Sequence, residues 1–69
     1  MAPAAALDAD QAIEFGDVLL HAGDPFNALT FYRLGLHLQP EHPASASVRF
    51  RAALSYELGE RWEAAEQGY

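Results

Sequence analysis

Residues 19–32 read "LLHAGDPFNALTFY", two apolar segments divided by Gly-Asp-Pro. Each residue of the break has a separate job. Gly23 takes the left-handed conformation that ends a helix, Asp24 is a short acceptor suited to an N-cap, and Pro25 fits the first helical position. The stretch therefore predicts two antiparallel helices joined by a minimal turn, and the rest of the chain is assigned outward from it.

Upstream, Asp8 and Gln11 have capping-box spacing, which predicts a helix from about residue 9 to residue 22. Asp10, Glu14, Asp17 and His21 step by 4, 3 and 4 and form one polar face, while nearly everything else is apolar. Downstream, a second helix is expected from Pro25 to about Leu38. Its polar residues Asn27, Thr30, Arg33 and His37 form a single narrow stripe. A helix so apolar, yet too short to cross a membrane, belongs between other helices. Gly35 within it costs about 1 kcal/mol against Ala, so a close neighbour is expected there.

"QPEHP" at 39–43 closes the second helix, and Pro43 is suited to open a third, expected to run to Leu58 and to stop at Gly59. Ala46, Phe50, Ala53 and Leu54 lie on one side of it, with Val48, Ala52 and Tyr56 on an adjacent side. "ERWEAAEQGY" then predicts a short fourth helix. No strand alternation or hairpin dipeptide occurs. The fold class is all-α, about three and a half helices, with a flexible tail at 1–7 and one helical domain at 8–69.

Composition narrows the function classes. The 69 residues carry a net charge of -6, are 51% apolar and include no cysteine, which excludes disorder, a disulfide framework and a thiolate metal site. Five acidic residues precede the first basic one, Arg33, a balance that repels phosphate backbones and argues against nucleic acid as a partner. "MAPAAAL" has neither the basic region of a signal peptide nor the length of an anchor, so membrane insertion is not expected.

The chemistry-bearing residues do not assemble into a catalytic pattern. His21, His37 and His42 fall on different elements, and His21 with Asp17 at i, i+4 reads as a solvated polar face before it reads as a metal site. Glu14 and Asp17 lack the burial that tunes a catalytic carboxylate. No phosphate loop and no nucleophile with a base are present. Neither an enzyme, a cofactor nor a bound metal is expected.

The two halves of the chain repeat one another. "LSYELGERWEAAEQGY" at 54–69 lies over the opening stretch as apolar helix end, glycine, short turn, aromatic and small residue, and Ala28 and Ala65 are 37 positions apart. On these residues the chain resembles the tetratricopeptide (TPR) family. The first unit, about 9–42, carries Gly16, Gly23, Ala28, Tyr32, Gly35 and Pro40 at the family's spacing. The second, about 43–69, matches in part with Ala53, Tyr56, Gly59, Trp62, Ala65 and Tyr69 and departs by one residue at "GERW". "QPEHPASASVRFRAALSYELGERWEAA" looks like bacterial TPR repeats of envelope lipoproteins or of type III secretion chaperones.

The resemblance implies antiparallel hairpins stacked as a short α-solenoid, with Phe15, Tyr32 and Tyr56 filling the space between them. It implies a protein–protein interaction module whose groove is lined by Asp10, Ile13, Asp17, Leu20 and His21 of the first helix and Phe50, Ala53, Leu54 and Glu57 of the third. The mixture suits a peptide or protein partner of basic and hydrophobic character. Two further readings accompany it: a self-associating piece of a longer scaffold, completed by another copy or by helix exchange, and a secretion-type chaperone. In a truncated second unit Trp62 and Tyr69 would be exposed as an interface. The compartment stays open, cytoplasmic for a complete chain and periplasmic for a fragment of an envelope protein.

Overall fold

The structure, a computed structural model, describes residues 7–68. It contains three helices, α1 (Ala9–His21), α2 (Pro25–Leu38) and α3 (Ser45–Gly68), and no strand among the described residues. Helix α2 is central, packed on α1 on one side and on α3 on the other. That position explains why its apolar residues run around most of its circumference.

The first turn forms as its residues dictate. Asp8 accepts from the Gln11 N–H at 2.8 Å while the Gln11 side chain accepts from the Asp8 N–H at 3.1 Å, a complete capping box. Gly23 has φ +83°, the left-handed region, and Asp24 caps α2 ahead of Pro25. The second connection is different. Pro43 does not open α3, which begins two residues later. His42 organises the entry instead: its ring Nδ1 accepts from the Ala44 N–H at 3.0 Å, and its carbonyl accepts from the Ser45 N–H at 2.9 Å.

The core is built from small residues and a few large ones. Ala9, Ala12 and Ile13 of α1 meet Ala28, Leu29 and Tyr32 of α2, and Val48 and Ala52 of α3 close the other side. Small side chains bring the helix axes close, and large neighbours then fill the notches. A Cβ on Gly16 would lie 2.6 Å from the Tyr32 ring, and one on Gly35 would lie 2.9 Å from Ile13. The close neighbour expected at Gly35 is therefore Ile13.

The expected stop at Gly59 and the fourth helix after it do not occur. Helix α3 is continuous for 24 residues, about 36 Å at 1.5 Å per residue. Gly59 is buried on the α2 side, in the stripe Val48, Ala52, Ser55 and Gly59, and the Phe26 ring occupies the space a Cβ would need, at 2.6 Å. The glycine is thus a packing notch. The residues after each glycine account for the difference: Asp24 and Pro25 start a new helix behind Gly23, whereas Glu60 and Arg61 prolong the one that contains Gly59. Beyond Gly59, residues 60–66 are all exposed, and α3 runs past the α1–α2 turn.

Candidate functional site

The α1–α3 face, where the TPR resemblance places a groove, is crossed by two polar links. Asp17 is the centre of the stronger one. Its Oδ1 accepts from the Tyr32 hydroxyl at 2.5 Å, and both carboxylate oxygens accept from Arg51 Nη1, at 3.0 and 2.9 Å. Arg51 Nη2 also donates to Ser47 Oγ at 3.0 Å. One residue from each helix meets here, so the cluster ties all three together. Tyr32 is fully buried, while Asp17 and Arg51 keep part of their surface in water, which limits the pair to the modest energy of partly solvated ion pairs. Burial first, then the hydrogen bond from Tyr32 to Asp17 and that carboxylate's charge, push the Tyr32 hydroxyl well above the ordinary phenol range; Arg51 opposes them weakly.

The second link runs from Asp10 to His42, with Nε2 2.5 Å from Asp10 Oδ1. Because Nδ1 accepts from the Ala44 N–H, the ring proton belongs on Nε2 and is donated to Asp10. This fastens the α2–α3 connection to the start of α1.

The other residues of the expected groove divide between core and surface. Ile13 is buried against Gly35, and Leu20 is half-buried on the core. His21 is exposed, and its Nδ1 lies 3.0 Å from the Asp17 backbone carbonyl, within its own helix. On α3, Phe50 is 69% exposed, Ala53 and Glu57 are exposed, and Leu54 is half-buried. Glu57 accepts from Arg61 one turn along at 3.0 Å. Ile13 therefore presents no surface to a ligand, and Asp17 is occupied by Tyr32 and Arg51. The polar face of α1 is accordingly not merely solvated: two of its four residues hold other elements.

Of the aromatics expected between hairpins, only Tyr32 is buried. Phe15 is half out in water, its ring centroid 5.6 Å from that of Phe31, and Tyr56 is exposed, its hydroxyl pushed up chiefly by the Glu60 carboxylate one turn along. Trp62 is 46% exposed, and Tyr69 lies outside the described residues.

Sequence reasoning missed Arg51 and His42. Arg51 sits one residue from the buried stripe of α3, and a basic residue beside a core face is the available signal for a carboxylate partner. No residue pattern gave its partner, because Asp17 lies 34 positions away. Among the described residues no cluster of three metal-ligating side chains occurs, and no described helix is long and apolar enough to cross a membrane. No family model matches the chain, and neither a curated protein nor a solved structure does.

Proposed function

We propose that the chain is a TPR-like helical interaction module that binds a basic, hydrophobic segment of a partner protein. The carrying observation is the set of large apolar side chains left in water on α1 and α3: Phe15, Val18, Phe50 and Trp62. Phe15 and Val18 stand one turn apart and line one depression, and apolar side chains exposed together as a patch mark contact surfaces. The α1–α2 hairpin supports the TPR-like reading, since Gly16, Ala28, Tyr32 and Gly35 form its interhelical contact. The charge of -6 supports a basic partner.

Selection of the folded chain against a displayed library of random peptides tests this reading. Enrichment of sequences combining Arg or Lys with apolar residues is expected. Selection that converges on acidic sequences, or on none, contradicts it.

A second reading is favoured by Phe50 alone. It lies on the side of α3 away from the buried stripe, where the next helix of an array would pack. Self-association through that face predicts a sedimentation coefficient that rises with concentration in the native chain and not in Phe50→Ser.

A further inference from the structure

The far end of α3 and the α1–α2 turn enclose a groove of about 330 Å³. It is lined by the apolar side chains of Pro25, Phe26 and Trp62 and by the carboxylate residues Asp24, Glu63 and Glu66. Among the described residues no Lys or Arg lines it. The groove exists because Gly59 lets the Phe26 ring sit against α3, and because α3 continues for two further turns past that contact.

The three carboxylates are not equivalent. Asp24 accepts from the Asn27 N–H and from Asn27 Nδ2 at 2.7 Å, and its charge faces the N-terminus of α2. Glu63 and Glu66 stand one turn apart on α3 with no such helix end to satisfy, next to a half-open indole. An indole face attracts a cation, a carboxylate strengthens that attraction, and an apolar lining accepts the hydrocarbon stem that carries it. Arginine and lysine combine all of these features. A second copy of this chain is a poor occupant, because ten acidic residues face four basic ones.

We infer that this groove is a docking site for a basic, apolar segment of a partner protein, with an arginine or lysine side chain laid over Trp62 between Glu63 and Glu66. The inference rests on the interaction-module reading. It moves the contact from the α1–α3 face to the end of α3.

Trp62 is the single tryptophan, so its fluorescence reports the site directly. The probe is a capped peptide alternating arginine and leucine, compared with a glutamate–leucine peptide of equal length. A saturable change in emission with the arginine peptide alone is expected. Affinity should fall about tenfold in the Glu63→Gln/Glu66→Gln double variant, the scale of two exposed charge contacts, and should weaken in about 0.5 M salt. Glu41→Gln, which removes an exposed carboxylate of the α2–α3 connection that does not line the groove, should bind as the native chain does. No saturable change, an equal response to the glutamate peptide, or unaltered affinity in the double variant overturns the inference. Arginine-peptide binding that is lost in Phe50→Ser and untouched in the double variant overturns this site while leaving the interaction-module reading standing.

Discussion

Replacing Gly59 by alanine separates a helix interior from a helix stop, because the two assign the substitution opposite signs. Inside a helix, alanine is favoured over glycine by about 1 kcal/mol. At Gly59 that gain meets the Phe26 ring, 2.6 Å from the new Cβ. Phe26 is 42% exposed, and the atoms in the way are at the far end of its side chain, so the ring can swing outward. An off-rotamer ring costs about 0.5–1.5 kcal/mol, and Gly59→Ala alone should therefore change stability little. Truncating the ring with Phe26→Ala removes the clash. In that background Gly59→Ala should stabilise by about 1 kcal/mol, read from urea denaturation followed by far-UV circular dichroism. Gly23→Ala is the contrasting control: φ is +83° and nothing lies within 4 Å, so backbone strain alone should cost about 1–2 kcal/mol. Destabilisation by Gly59→Ala in the Phe26→Ala background, of the size seen at Gly23, would refute the reasoning.

Gly16→Ala should behave unlike Gly59→Ala, because its Cβ meets Tyr32, whose ring is fully buried and whose hydroxyl is held by Asp17. Overpacking outweighs the helix propensity gained, and a net loss of about 1–2 kcal/mol is expected in the same denaturation assay. Tyr32 also sets an alkaline limit. Below pH ~10 both states keep the phenol proton; above it the unfolded chain releases the proton first, so stability falls as pH climbs from about 10 toward the raised folded value. Thermal melts between about pH 8 and pH 11 should show this slope in the native chain and less of it in Tyr32→Phe, the exposed Tyr56 leaving a remainder. Ser55 is fully buried, but its hydroxyl donates only to the Arg51 carbonyl one turn back, at 2.8 Å. Ser55→Ala should be neutral or stabilising by up to about 0.5 kcal/mol, and a loss above about 1 kcal/mol would show a further partner for that hydroxyl.

The local signals were legible where they were redundant. Asp8 with Gln11, and Gly23 with Asp24 and Pro25, each combine two or three residues that agree on a boundary, and the structure places boundaries there. The apolar circumference of α2 likewise marked it as the central helix. Gly59 carried an ambiguous signal, since a glycine serves equally as a stop or as a notch: the helix formers Glu60 and Arg61 behind it favour continuation, and the Phe26 ring that makes it a notch lies 33 positions earlier. The candidate site was less legible for the same reason. Asp17 and Asp10 look like solvated carboxylates in sequence, and their partners Arg51 and His42 are brought to them by the packing of α3 on α2. Phe50 and Trp62 are apolar residues at helical spacing, and spacing alone does not say which face is left without a neighbour.

The groove beside Trp62 exists only if α3 is one helix through Gly59 with Phe26 lying against it. Nuclear magnetic resonance of the labelled chain measures both points at one residue. Helical ¹³Cα shifts are predicted without interruption from Tyr56 to Trp62, together with a nuclear Overhauser effect between the Gly59 α-protons and the Phe26 ring. A non-helical shift at Gly59, with no contact to Phe26 and a new helix starting at Glu60, would contradict that arrangement.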